Sequence, residues 1–375
     1  MSAGSSRPSV VIVGGGYAGV AAALALDERL DVTVVDPKDA FMHCVAALRA
    51  LVDEAWMPHL FLPYGGLLTH GRVVRDRAVG VSPGEVRLAS GTTLRADFVV
   101  LATGSSYPFP AKADVEQAEE AAGRYGATRE ALRRAADVLI VGGGPVGIEL
   151  AGEIVSAMPD KHVTILDMAD DVLGPRFGPE LKAELRRQLA ERGVDVVLGS
   201  PLRALPPTEP GELGRFTVAT ERGDELSADI WFRCWGVVPA SDFLAASGIV
   251  RDAAGFVPVD EHLRVVGHER LFAIGDLTAG DAKMAAAANR QAAVAAANIL
   301  AVIDGAELKA HRPMGPAIAV PIGPDGGAGQ FPGQEGVVGP EVVSRVKGAD
   351  LGVTVNGERF RVAAATRPDP ASTSS

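Results

Sequence analysis

One pattern occurs twice in this chain and fixes most of what it can fold into. Gly14, Gly16 and Gly19 lie in VVIVGGGYAG, and Gly142, Gly144 and Gly147 lie in VLIVGGGPVG. Each copy follows a short β-branched apolar run and opens an Ala-rich or apolar stretch of helical character. The first copy runs on through DVTVVD to Asp36, the second through HVTILD to Asp167. A lone G-x-G-x-x-G is weak evidence, but strand, glycine turn, helix, second strand and terminal acid together are strong. Each acid falls about 20 residues or slightly more past the first glycine, where a carboxylate can accept from a ribose hydroxyl. The pattern predicts two dinucleotide sites in one chain. Two glycine-rich turns in an ordinary α/β protein would explain neither the repetition nor the acids.

A chain of 375 residues suits two or three domains, each with its own core. The formal net charge is −11 and no Lys/Arg run is dense enough to track phosphates, which disfavours nucleic acid as a partner. Cys44 and Cys234 are the only cysteines and stand far apart, so neither a disulfide framework nor metal-ligand spacing exists. That fits a reducing, cytoplasmic setting. The polar start MSAGSSRPS lacks a signal h-region, Ser2 excludes N-myristoylation, and no stretch reads as a membrane helix. Membrane contact is therefore expected to be peripheral at most, at the inner face; a homodimer is the assembly left open.

Along the chain, residues 10–36 read as strand, helix, strand. Residues 73–104 alternate turn signals with short strands, as in a small antiparallel sheet, and end in the buried run DFVVLATGSS. Pro108 and Pro110 break the chain before a charged helix, 114–136. The second unit begins at Val138, with an amphipathic helix over 179–192, a strand over 194–198 and a hairpin within 215–230. FAIGD then reads as a strand into a turn, and 284–303 as a long Ala-rich helix. The expected architecture is α/β, with two Rossmann-like, glutathione-reductase-type domains and a small C-terminal α+β domain. The first domain takes residues 1–112 and 237–310, the second 113–236, and the C-terminal domain, placed over the flavin, 311–364. The polar end, 365–375, reads as a disordered tail.

In each unit the first glycine permits the tight turn, the second lets backbone approach a pyrophosphate, and the third lets helix and strand pack closely. Phosphate then meets the free N–H groups and dipole of the helix start. The N-terminal unit is completed by distant segments, Ala102-Thr103-Gly104 and Ala273-Ile274-Gly275-Asp276, which suits a permanently held flavin. The second unit is compact, which suits a nicotinamide nucleotide that comes and goes.

The combination of GGGYAG, ATG, GGGPVGIE, GVVP (236–239) and FAIGD resembles the two-dinucleotide flavoprotein reductases. Within them, VDPKDAFMHCVAALRA (35–50) is similar to the apoptosis-inducing-factor-like, ferroptosis-suppressor type of NAD(P)H:quinone oxidoreductase, and the likeness continues through AKMAAAANRQAAVAAANIL and GPDGGAGQ. The resemblance implies FAD on Gly14, Gly15, Gly16, Tyr17, Ala18 and Gly19, with Asp36, Lys38, Arg49, the backbone near Ala78, and Asp276. Asp276 would accept from a ribityl hydroxyl, while Lys38 and Arg49 would neutralise the diphosphate or adenosine side; a solvated surface charge is the alternative for each. In the second unit, Gly142, Gly144, Pro145, Val146 and Gly147 would hold the other dinucleotide. Glu149 would reach its nicotinamide end or merely complement the helix dipole.

Asp167 supports a sharper expectation. With Asp170 and Asp171 close behind and no Arg following immediately, a 2′-phosphate would meet concentrated negative charge, so NADH is expected over NADPH. Members of the resembling subgroup can lack this acid, so the expectation comes from these residues. The chemistry belongs to the flavin, and the electrons go to a quinone or another small acceptor. Lys283 is the candidate to stabilise the reduced anion, and His43 a candidate proton donor, against a structural role for each. Cys44 lacks a partner four or five residues away, which excludes a dithiol mechanism; it is expected to be a small buried side chain, with single-cysteine disulfide reduction as the rival. WMPHLFLPYGGLL (56–68) suggests core packing or a quinone entrance. The remaining rivals are a reductase for an iron–sulfur or rubredoxin-type carrier and a slow NADH-sensing interaction protein.

Overall fold

In the computed structural model, residues 7–313 and 315–361 are described. Strand β1 (Ser9–Val13) leads into helix α1 (Tyr17–Leu26) and strand β2 (Asp31–Asp36), followed by the short helix α2 (Ala47–Val52) and strands β3 (Arg72–Arg75) and β4 (Phe98–Leu101). Helix α3 (Ala118–Arg134) enters the second unit: β5 (Asp137–Val141), α4 (Pro145–Ala157), β6 (His162–Leu166), α5 (Pro179–Glu191), β7 (Asp195–Val197) and β8 (Ile230–Arg233). The chain then returns to the first unit with β9 (Leu271–Ala273) and α6 (Ala285–Asp304). It continues as a hairpin, β10 (Ile318–Ile322) and β11 (Gly326–Gln330), and helix α7 (Val353–Arg359).

The first sheet has the order β9-β4-β1-β2-β3 and the second β8-β5-β6-β7, all parallel. The inner strands β1, β4 and β5 are covered on both faces, which is why they read as near-continuous apolar runs instead of alternating ones, whereas the edge strands β3 and β7 are only partly covered. Each glycine turn leaves a strand that has the acid-bearing strand on one side. On its other side lies β4 or β8. The duplication is therefore one of topology as well as motif. Of the 73–104 segment, β3 and β4 join the parallel sheet, and only residues 78–95 form the three-stranded antiparallel piece.

Helix α6 is by length and composition long and apolar enough to cross a membrane, contrary to the expectation that no segment would be. Its buried face, Ala288, Ala292, Ala295, Ala296 and Ile299, packs in one core with Ala18, Ala22 and Ala23 of α1, so small side chains here serve close helix contact. The 56–68 segment is largely core: Leu60, Leu62, Tyr64 and Leu67 are buried.

Chain passes between the units where Ser105–Ser106 pair antiparallel with Val238–Pro239. The C-terminal hairpin lies against α4 and α5 of the second unit, so close that a Cβ on Gly152 would stand 2.6 Å from Cα of Ile322. Phe360, just past α7, is buried with Phe41 and Tyr64 of the first unit. The C-terminal segment thus touches both halves. Residues 362–375, with the expected tail, lie outside the described residues.

Candidate functional site

The two glycine turns are built alike, bond for bond. Gly14 N–H donates to Val35 O and Gly142 N–H to Leu166 O, each at 2.8 Å. Gly14 and Gly142 hold φ of +107° and +115°, a conformation that favours glycine. A Cβ on Gly19 would lie 1.8 Å from Gly14 O, and one on Gly147 1.9 Å from Gly142 O, so a side chain at either would push helix off strand. By contrast, a Cβ on Gly16 or Gly144 would meet nothing within 4 Å. Both are N-caps without a side-chain cap, and neither α1 nor α4 has an acid in its first turn. Space, free N–H groups and an uncompensated dipole end coincide at each turn, which fits a dinucleotide phosphate. Tyr17 and Ala18, like Pro145 and Val146, form the first turns of these helices.

The acids repeat the symmetry. Asp36 accepts from Gly15 N–H at 2.6 Å and from Lys38 N–H at 2.8 Å. Asp167 accepts from Gly143 N–H at 2.5 Å and from Ala169 N–H at 2.8 Å. Each carboxylate therefore ties its own strand end to its own glycine turn. Burial pushes the Asp36 carboxyl up, opposed by those two N–H groups. Asp171 engages Arg186 at 3.4 Å. Arg222, from the hairpin that follows β7, comes close to Gly199 on the same side as Asp170.

Distant segments close the first turn. A Cβ on Gly14 would stand 2.4 Å from Ala102 O. Thr103 donates through Oγ1 to Ala240 O at 2.7 Å, and Gly104 O accepts from Ala240 N–H at 2.9 Å. Gly275 presses on Ala18, its would-be Cβ 3.0 Å from Ala18 Cβ, and its N–H donates to Gln291 Oε1 at 2.7 Å. Asp276 accepts from Ser105 Oγ at 2.6 Å and lies 3.4 Å from Lys112 Nζ, which also donates to Ser105 O at 2.7 Å. Ala78 is buried against the carboxyl ends of β1 and β2, in one core with Val13 and Val35. Lys112, Gln291 and Tyr64, whose hydroxyl donates to Gly15 O at 2.9 Å, had escaped the sequence reading.

Other expected site residues have partners within the chain. Arg49, expected at the diphosphate or adenosine side or as a solvated surface charge, donates through Nε and Nη2 to Glu153 of α4 at 2.9 and 2.7 Å, and its guanidinium stacks 4.7 Å from Trp56. Both partners are almost fully buried, so this arginine ties the two halves together. His43 is engaged at both ring nitrogens, as its structural alternative requires. Its Nε2–H donates to Leu351 O at 2.9 Å, since a carbonyl only accepts, and its Nδ1 accepts from Tyr17 OH at 2.7 Å. Burial lowers its pKa to about 4, so the ring is neutral. Glu149 faces the C-terminal segment, accepting from Lys347 Nζ at 2.6 Å, and burial pushes its carboxyl up against the pull of Lys347.

Lys283 donates to Thr278 O and sits 4.5 Å over the Phe256 ring; burial lowers its pKa, opposed by Asp276. Lys38 turns inward, donating to Ala113 O at 3.3 Å, and so is no plain surface charge. Burial raises the Cys44 thiol, with Lys112 and Lys38 pulling it down, and Cys44 and Cys234 are unpaired.

Residues 8–295 match the pyridine nucleotide-disulphide oxidoreductase family. The chain belongs to that family. Its members' cofactors, FAD and NAD(P)H, suit the two turns just described, and the protein is a flavoprotein oxidoreductase. Within the family it is 32% identical over 372 residues to ferroptosis suppressor protein 1 of Homo sapiens, covering 96% of this chain and 98% of the relative. Apoptosis-inducing factor homolog B of Dictyostelium discoideum is 30% identical over 350 residues, 87% of this chain and 90% of that one. Among solved structures of this fold, the sulfide:quinone oxidoreductase of Aquifex aeolicus superposes with a TM-score of 0.75 at 19% identity, covering 94% of this chain and 91% of the other. A covalent putidaredoxin reductase–putidaredoxin complex gives 0.68 at 23% identity, over 86% and 81%.

Proposed function

We propose that the first glycine turn holds FAD, that the second receives NADH in preference to NADPH, and that the electrons leave to a quinone-type acceptor. FAD, when bound, supplies the chemistry, taking hydride from the nicotinamide and yielding two electrons to the acceptor. The chain's own residues bind and orient. Gly14 to Gly19 and α1 receive the diphosphate, Asp36 the adenosine ribose, and Asp276, steadied by Ser105 and Lys112, the ribityl side. Wrapping by the segments 102–104 and 273–276 supports permanent retention there, whereas the second turn is closed from within its own unit, by Cys234 O against Gly142 and by Leu173, whose N–H donates to Gly143 O at 3.0 Å. Lys112 lies 3.4 Å from Asp276 and Lys283 feels its charge, so a flavin bound there would meet positive charge from both.

The acceptor reading rests on the state of Cys44. With its thiol pushed up by burial and no second cysteine at hand among the described residues, it offers no dithiol relay, which supports an acceptor that takes electrons from the flavin directly. Resemblance to quinone reductases supports a quinone-type molecule. Steady-state NADH oxidation with a soluble quinone tests this in wild type and Cys44→Ser. Quinone turnover that survives the substitution is expected; loss of all acceptor reduction in Cys44→Ser would show that the thiol carries the electrons.

A further inference from the structure

Arg233 lies in an acidic chain, yet meets no acid among the described residues. It ends β8, which runs parallel to β5 with Arg233 opposite Val141, the residue before Gly142. Among the described residues its guanidinium makes no hydrogen bond or ion pair, and its Nε is buried and unsatisfied. The side chain reaches forward past the end of its strand. The guanidinium carbon lies 4.8 Å from the Trp235 ring centre, and Nη2 stands 3.0 Å from where a Cβ of Gly236 would be. This stretch also abuts the glycine turn, since a Cβ on Gly142 would lie 2.7 Å from Cys234 O. A buried donor without an acceptor is costly, and native structures seldom leave one unless a ligand or water completes it.

Position and chemistry select the ligand group. The carboxyl edge of an open parallel sheet is where such folds bind ligands, and a guanidinium fork matches phosphate oxygens. The Asp167 strand β6 and the Arg233 strand β8 flank β5 on opposite sides. Neighbouring strands lie ~4.8 Å apart, so the two residues stand about 10 Å apart across the edge. With adenosine at Asp167 and the diphosphate over the glycine turn, Arg233 meets the nicotinamide-side half. It stands too far over to serve a 2′-phosphate. We infer that Arg233, held against Trp235, binds the nicotinamide-side phosphate of the visiting dinucleotide. This rests on the reading that the second turn receives NADH.

Calorimetric titration of the FAD-loaded protein with AMP and with ADP-ribose separates the two halves, because AMP ends at the adenosine-side phosphate. In Arg233→Met the ADP-ribose dissociation constant should rise about 10- to 100-fold, as expected for losing a charge-assisted contact. Arg233→Lys should recover part of it, and AMP binding should stay within about twofold throughout. ADP-ribose binding unchanged in Arg233→Met, or AMP lost together with ADP-ribose, would overturn the role given to Arg233 and leave the site standing. Wild-type protein that binds neither compound would overturn the reading of the second turn, and this inference with it.

Discussion

If the second turn takes NADH in preference to NADPH, as proposed, replacing Asp167 by Asn should let it accept both nucleotides. A 2′-phosphate on the adenosine ribose would come within about 5 Å of the Asp167 carboxylate, and at an effective dielectric of ~20 that repulsion is about 3 kcal/mol per unit charge. Asp171 adds less, because Arg186 lies 3.4 Å from it, and Arg222 beside Gly199 offsets Asp170 further. One dominant acid therefore sets the discrimination, about 100-fold in kcat/KM. Asn keeps the volume and one acceptor for Gly143 N–H but removes the charge. Steady-state kcat/KM for NADH and NADPH, in wild type and Asp167→Asn, reads the effect directly. The ratio should fall from about 100 to within a few-fold of one. Equal use of both nucleotides by the wild type, or an unchanged ratio in Asp167→Asn, would refute the electrostatic reasoning.

Three further outcomes follow from the contacts between the halves and from the turns. His43 has a pKa of about 4 when folded against 6.5 ordinarily, so protonation favours the unfolded chain. That stability is fully present above pH 6.5 and is lost as the pH falls towards 4, about 3 kcal/mol in all. Denaturant midpoints measured across this window should fall less steeply in His43→Gln than in wild type; parallel slopes would contradict the burial of a neutral His43. Arg49→Met should cost about 3–5 kcal/mol by stranding Glu153 in the interior, and the double variant with Glu153→Met should recover most of it, as read by chemical denaturation. If Arg49→Met is neutral, the pair does not tie the halves together. Gly144→Val fills open space, so it should leave the folded protein and its FAD intact while weakening NADH binding by 10-fold or more (about 1.4 kcal/mol). Unaltered NADH affinity would show that no phosphate lies there.

What was legible in the sequence is what is local or periodic. The glycine turns, their helices and the acids at the ends of the second strands lie within one unit of chain, so spacing alone specified them, while the bonds that Asp36 and Asp167 accept from their own glycine turns came only with the structure. The contacts between the halves left no such trace. Arg49 meets Glu153 and His43 meets Leu351 across more than 100 residues, and neither pairing is announced by a motif. For an isolated Arg or His near a cofactor-like segment, ligand and structural roles therefore both stay open in the sequence, and only the fold shows which part of the chain it meets. Lys112 follows a proline-broken stretch and had no signal. Gln291 did have one: it recurs at helical spacing with Ala287, Ala288 and Ala295 on the inward face of α6, where a polar side chain must find a buried partner. Tyr64 was hidden because the apolar stretch around it invites a surface explanation. Its hydroxyl instead supports Gly15 from behind.

Anaerobic titration of purified, FAD-reconstituted protein with NADH, followed through the visible flavin absorption, tests the central claim most directly. If one bound flavin faces one nicotinamide site, the yellow colour should bleach in proportion to the NADH added, up to one equivalent per chain. Protein that stays colourless with excess FAD, or that holds FAD but is not bleached by NADH, would contradict it.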